Sequence, residues 1–519
     1  MDRRVAQGRS QLARGASTSL VVSVAVGGAL VAIALFVYTL SHPYRFYNHF
    51  EWQALAFLEG HAAIRFPVQA DATSPGNAFF QDVLPVPTGS DGIQRGLVPF
   101  PPLPAVVLMP FVWLWGLAAD GQLIYAIIGA LDVGLAWWVL GKLPIRTWVR
   151  IAATVFLGFG TVLWYAAQIG TTWYQAHVLA VGLALAAIGV ALDGDRASAL
   201  LEDDVEEPGD GDAEERRRGG NALGRLVPDR RQFLAGVLFG LACTSRLTVV
   251  FAAPFFLLVG PGGSWFRRGW SAALGAAIPI GLLVAYNLVT SGHLLHPGYQ
   301  YLYELEAGFY TPLNYHLDWQ IEDLRYLPQN VAIMFLNTPV WQPDVVPSAL
   351  GLGGPLCTDP GAVRGLFNPD CPLVLPKDTG MSILLTSPAF LLAFPAIRWG
   401  FGLSRLVTGA AFAVLIVALV NLMHFSQGWV QFGYRFALDF TPWALLLVAI
   451  GLERIARRTD RRSDVDEAVP VAASRDGRAA AGVTTGVGAW AIVTIALVLV
   501  GISVFVNLWG VVWGDVLGW

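Results

Sequence analysis

The chain has 519 residues, of which 55% are hydrophobic and only 13% charged, with a net charge of −4 and a mean hydropathy of +0.55. A soluble domain carries about twice that charged fraction, which excludes the soluble globular class. Nucleic-acid binding has no support either, because no basic, aromatic-studded polar domain exists.

The chain opens Met1-Asp2-Arg3-Arg4, with Arg9 and Arg14 before an apolar run over about 19–40. That run is too long for the core of a signal peptide, so it predicts a retained first helix behind a cytoplasmic tail, 1–18. The basic cluster sets the tail inside. A long amphiphilic stretch follows at 41–98, and its Asp71, Asp82 and Asp91 lie among Pro and Gly and are expected to be turn residues. Apolar segments then predict helices at 103–119, 121–141, 150–167 and 173–192. The proline-rich start of the first of these, Pro99-Phe100-Pro101-Pro102-Leu103-Pro104, suits an interfacial or re-entrant helix. Keeping both Lys142–Arg150 and 193–231 inside also requires one early segment not to cross, and this is the candidate.

Residues 193–231 are acidic in the first half and basic in the second, which reads as a disordered cytoplasmic loop. The run 232–260 is interrupted by Ser245-Arg246. An arginine at the bilayer centre is costly, so two short helices are expected to meet at Arg246 near the far surface. A helix at 270–290 leads to a second outer loop, 291–380, and further helices are expected at 381–397, 405–424, 435–452 and 486–513. The linker 453–485 is charged and suits the cytoplasm. The fold class is thus an all-α polytopic membrane protein of about eleven spans, with a membrane domain at 19–452, outer loops at 41–98 and 291–380, and a terminal helix and tail at 486–519. Abundant Ala, Gly and Val, and cationic charge that is nearly all Arg, suggest a GC-rich bacterial genome. The absence of a visible inverted repeat weakens the transporter class.

Of the three cysteines, Cys243 lies in an apolar helix and is expected to be inert. Cys357 and Cys371 share the second outer loop, where an oxidising compartment favours a disulfide over two free thiols.

Four local patterns resemble the GT-C superfamily of membrane glycosyltransferases, which includes protein O-mannosyltransferases and aminoarabinose transferases. They are Phe46-Tyr47-Asn48-His49-Phe50-Glu51-Trp52 running on to Gly60, Pro101-Pro102-Leu103-Pro104, Gly240-Leu241-Ala242-Cys243-Thr244-Ser245-Arg246, and Gln431-Phe432-Gly433-Tyr434-Arg435-Phe436. The resemblance spans most of the chain and implies a GT-C-like bundle in the bacterial cytoplasmic membrane. It also implies transfer of a sugar from a polyprenyl-phosphate donor to an extracytoplasmic acceptor. One departure stands out: Tyr47-Asn48 occupies the place of the family's Asp or Asp-Glu, with Glu51 one helical turn further on.

Such transfer needs a carboxylate to take the acceptor proton and cations for the departing phosphate. Glu51 is the candidate base, and His177, near a place where the family often has Asp, is the second catalytic candidate. Arg246 and Arg435 are the phosphate candidates, although Asp439, four residues past Arg435, could hold it in a helix-surface pair. Asn48, His49, Gln175, Tyr434 and His424 are candidate substrate-binding residues, with Gln427 lining the same cavity as His424. The aromatic and acidic stretch Tyr299, Tyr301, Tyr303, Glu304, Glu306, Phe309, Tyr310 suits sugar recognition or an interfacial belt. No tight His or Cys spacing indicates a metal, and no nucleotide fingerprint appears. The other readings are a flippase for lipid-linked glycans and a GT-C-like binding protein without catalysis.

Overall fold

The computed structural model describes residues 2–41, 47–65, 82–87, 92, 95–194, 227–309, 318–347, 353–428, 430–468 and 484–519. Asp71, Asp91, Tyr310 and most of the loop expected over 193–231 lie outside the described residues. The chain is a multi-pass, all-α membrane protein. Among the described residues, six helices are long and apolar enough to cross a bilayer: Leu20–Tyr38, Gly121–Leu140, Thr172–Asp193, Trp265–Ser291, Arg405–Met423 and Ala491–Leu517. A seventh crossing is available to Thr147–Phe159 and Leu163–Ile169 together, bent by 44°. Large apolar side chains such as Leu20, Val24, Phe36, Leu282, Leu415 and Phe505 stand exposed on the outer helices, as a lipid-facing surface requires.

The other expected segments are present as shorter or broken helices. We label the elements α1 (Asp2–Tyr38), α2 (His49–Leu58), α3 (Leu103–Trp115), α4 (Gly121–Leu140), α5 (Thr147–Phe159), α6 (Leu163–Ile169), α7 (Thr172–Gly194), α8 (Arg230–Cys243), α9 (Phe255–Leu258) and α10 (Trp265–Ser291). Then come α11 (Gly298–Phe309), α12 (Leu327–Leu336), α13 (Ile383–Thr386), α14 (Ala393–Gly400), α15 (Arg405–Met423), α16 (Thr441–Ala468) and α17 (Thr484–Leu517). The segment expected as one helix over 381–397 is α13, a 3-10 turn and α14, because Ser387-Pro388 interrupts it. The helix expected over 435–452 begins later, since Arg435–Asp439 forms a 3-10 turn, and α16 then runs on into the charged linker.

The center of the bundle is α7. Of its apolar window 83% is buried, against 11% for α1. It packs against α4 and α8, and α8 in turn lies tightly on α10. That close approach follows from composition: a Cβ at Gly236 would stand 2.1 Å from the Ala272 carbonyl oxygen, and one at Gly240 2.7 Å from that of Ala276. In a bilayer, where lipid competes for apolar side chains, such small-residue spacing is what lets two helices associate.

The basic connections gather at one end. Lys142 pairs with Asp193, Arg146 with Glu453 and Asp460, and Arg457 donates to the Pro144 carbonyl. Arg231 donates to the Asp193 carbonyl, and Arg150 reaches Ser23 at the start of the apolar part of α1. This end carries a net positive charge among these residues, the end that the sequence leads one to expect on the cytoplasmic side. At the opposite end α3 is about 20 Å long, against a hydrocarbon core of about 30 Å. Tyr125, in the first turns of α4, donates to the Pro104 carbonyl at the start of α3, while the end of α3 leads directly into α4. Both ends of α3 therefore sit at one end of the bundle, as its proline-rich entry leads one to expect.

The outer segments carry the few strands. β1 (Ile64–Arg65) and β2 (Leu84–Val86) flank β3 (Arg95–Leu97), both antiparallel, and β4 (Val340–Trp341) pairs with β5 (Val374–Leu375). Cys357 and Cys371 form a disulfide with their Cα atoms 4.4 Å apart, while Cys243 is buried and unbonded.

Candidate active site

The start of α7, at the end of the bundle opposite the Lys142 and Arg146 ion pairs, organises the polar interior there. Thr172 anchors it: its hydroxyl donates to the Tyr47 carbonyl (3.0 Å), accepts from the His49 backbone N–H (3.0 Å) and meets His49 Nδ1 at 2.9 Å. The strap before α2 is thereby tied to α7, and His49 is spent in that joint. Asn48 sits at the N-cap position of α2 but makes no capping bond with its side chain.

Helical periodicity then sorts the following side chains. At 100° per residue, positions 173, 174 and 177 share one face, and position 175 points to the other side. On the first face, His177 Nδ1 lies 2.9 Å from Asp439 Oδ1. A carboxylate only accepts, so Nδ1 carries the proton in this pair. Arg246, at the break between α8 and the following 3-10 turn, grips the same carboxylate with two bonds, Nε to Oδ1 at 3.1 Å and Nη2 to Oδ2 at 2.9 Å. Thr248 (2.7 Å) and Asn421 (3.3 Å) also donate to Oδ2. Asp439 is buried and receives five donors, so it acts as the hub that fixes α7, the α8 break, α15 and the 3-10 turn before α16. The expected pair between Asp439 and Arg435 does not form. In the 3-10 turn the two side chains diverge, and Asp439 holds Arg246 instead.

Arg435 is left facing the rings of Tyr174 and Phe436, each 5.4 Å from its guanidinium carbon. Among the described residues no acceptor lies within hydrogen-bond reach of it, and its Nε is buried. Gly428, at φ +82°, makes this placement feasible, because a Cβ there would stand 2.7 Å from that carbon. Phe436 is the common wall, with the Arg246 guanidinium 5.2 Å and the His177 ring 5.8 Å from its centroid. Tyr434 is turned into the core, its hydroxyl donating to Gln427 Oε1 at 2.7 Å. His424 stands at the edge, 3.1 Å from Glu322.

Asp82 completes this face. Its Oδ2 accepts from Trp173 Nε1 at 2.6 Å, one turn above His177. The turn expected there exists, but the carboxylate is buried rather than solvated. Burial pushes Asp82 up to about 6, against the Trp173 hydrogen bond and the Arg435 charge, which pull it down. Tyr299 on α11 sits within the fields of Arg246, Glu322, Asp82 and Asp439, and burial pushes its hydroxyl up to about 12.

Glu51 belongs to the other face of α7. Its Oε1 accepts from Gln175 Nε2 at 3.4 Å, Gln175 also binds the Gly170 carbonyl at 2.8 Å, and Oε2 is buried without a partner. A Cβ at Gly121 would stand 1.8 Å from Oε1, so the carboxyl is packed onto the first residue of α4. Burial raises it to about 7.

Among the described residues no group of His, Cys, Asp and Glu is arranged to hold a metal. Sequence reasoning singled out both arginines and His177 but took Asp439 for a local partner and Asp82 for a turn. The available signal for Asp439 was a carboxylate inside an apolar stretch, which must find a cation when buried. No family model and no curated protein matches the chain. Among solved structures, it is similar to that of ArnT from Cupriavidus metallidurans bound to undecaprenyl phosphate, with a TM-score of 0.44 and 14% identity over 96% of this chain and 77% of that one.

Proposed function

We propose that the chain is a membrane glycosyltransferase that takes a sugar from a polyprenyl-phosphate donor and transfers it to an acceptor on the outer side of a bacterial cytoplasmic membrane. The observation that carries this reading is Arg435: a cation with a buried Nε and, among the described residues, no acceptor, on a ring-lined face at the expected non-cytoplasmic end of an apolar bundle. Arg435 is only half-buried, but its Nε is closed off from water without an acceptor, and such an N–H is costly unless a ligand supplies one; the ligand chemistry that fits a guanidinium at a lipid-embedded site is a phosphate with an apolar tail. Arg246, held rigid by Asp439, offers its remaining N–H groups to the same anion without reorganising. His177 and Asp439 set that pose, and Tyr299 and Phe436 suit a sugar ring. The four sequence patterns quoted above support the same class.

The test is transfer by protein purified into proteoliposomes with synthetic polyprenyl-phosphate pentoses and hexoses and bacterial envelope fragments as acceptors. The expected result is release of free polyprenyl phosphate from at least one donor, abolished by R435A. Movement of the intact lipid-linked sugar between leaflets, without cleavage of the sugar–phosphate bond, would replace this reading with that of a flippase.

A further inference from the structure

We propose that Asp82 is the carboxylate that takes the acceptor proton, the role for which sequence pattern alone nominates Glu51. This rests on the transferase reading above. Asp82 shares a face of α7 with the arginine site, through Trp173 one turn from His177, whereas Glu51 is bound through Gln175 on the opposite face. Among the described residues only Oδ2 of Asp82 is engaged. Among the described residues Oδ1 has no hydrogen-bond partner, although the residue is 9% exposed. Glu51 is closed in by Gly121, which leaves no room for an acceptor at Oε1.

The backbone at Asp82 adds an independent observation. Its φ is +74°, in the left-handed region that a non-glycine residue occupies at a cost. The chain after it is held in place. Val83 is fully buried, and β2 is paired to β3 directly after it. The chain thus holds an aspartate in a strained pose so that its carboxylate turns inward beneath Trp173, where a surface turn would leave it in water.

The groups that face Asp82 are Trp173 on α7, Arg435 on the 3-10 turn, Tyr47 before α2 and Tyr299 on α11. In the step proposed, an acceptor hydroxyl oxygen forms its bond to the sugar C1 as the C1–O bond to phosphate breaks. The bonding pair leaves with the phosphate oxygen, whose added charge Arg435 neutralises. The hydroxyl proton passes to Asp82, so atoms and charge balance without a further reactant. Because burial pushes this carboxyl up to about 6, it becomes a base only above that pH, and activity must fall on its acid side.

The experiment compares wild type, D82N and W173F in the proteoliposome assay, with undecaprenyl phosphate binding measured on each. D82N is expected to lose about 100-fold or more in turnover and to bind undecaprenyl phosphate within about threefold of wild type. Wild type is expected to show an acid limb near pH 6, and W173F, which removes a hydrogen bond to the charged carboxylate, to move that limb to higher pH. If D82N fails to fold, the W173F shift alone decides. Turnover of D82N within about twofold of wild type, or an acid limb unmoved in W173F, overturns the assignment and leaves the transferase reading intact. Absence of any donor cleavage by wild type overturns both.

Discussion

Replacing Asp439 by Asn is the sharpest probe of the site's construction. Two donors converge on Oδ1, His177 Nδ1 and Arg246 Nε, and three on Oδ2, Arg246 Nη2, Thr248 Oγ1 and Asn421 Nδ2. Whichever way the new amide is turned, its NH2 opposes at least two donors, one of them always an Arg246 N–H. The guanidinium, only 19% exposed, also loses its counter-charge. Breaking a buried pair by removing one partner costs about 3–5 kcal/mol. At about 2.1 cal/mol/K per residue this is a fall of roughly 3–5 °C in the unfolding midpoint if the whole chain melts together. Tryptophan fluorescence in detergent measures it. The double replacement R246M/D439L removes both charges but strips His177, Thr248 and Asn421 of their acceptor, so it should recover little of the loss. A D439N midpoint equal to wild type, or a double variant as stable as wild type, would refute the hub.

Other outcomes follow from the same structure. Glu51 rises from 4.5 to about 7 on folding, so between those values the folded chain holds more protons than the unfolded one, and stability falls as pH rises through that window. At about 1.4 kcal/mol per pH unit the loss is roughly 3 kcal/mol. E51Q should abolish this contribution, so its midpoint should fall less than that of wild type as pH rises from about 5 to 8. Gly236→Leu or Gly240→Leu should drive α8 off α10, seen as loss of the monodisperse peak on size exclusion, since each Cβ would meet a backbone oxygen. Reducing the Cys357–Cys371 disulfide, which closes a separation of 14 residues, should cost the outer loop about 3 kcal/mol and expose it to limited proteolysis.

Much of the fold was legible because membrane helices announce themselves by length and apolarity. The break at Arg246 was readable from the cost of a charge in lipid, and the disulfide from two cysteines in one outer loop. The segments expected on the cytoplasmic side meet where they are described, in the ion pairs of Lys142 with Asp193 and Arg146 with Glu453. The site was harder. Asp439 lies 193 positions from Arg246 and 262 from His177, and no local spacing encodes a meeting of that kind. The i,i+4 relation suggested Arg435 because a helix was assumed where a 3-10 turn stands. Asp82 was hidden for the opposite reason: its Pro- and Gly-rich surroundings describe a turn correctly but say nothing of which way the side chain points. Glu51 was placed on the correct segment, yet the pitch of α7, which separates Gln175 from His177, puts it on the far side of the helix.

The central claim is that Arg435, which has no acceptor among the described residues, binds a lipid phosphate. Titrating undecaprenyl phosphate into wild type and R435M, in the same nanodiscs, tests it directly. Loss of a charge-assisted contact in this setting is expected to weaken binding by about tenfold or more, with decaprenol, which lacks the phosphate, binding both proteins alike. Equal affinity of wild type and R435M for undecaprenyl phosphate would contradict the account.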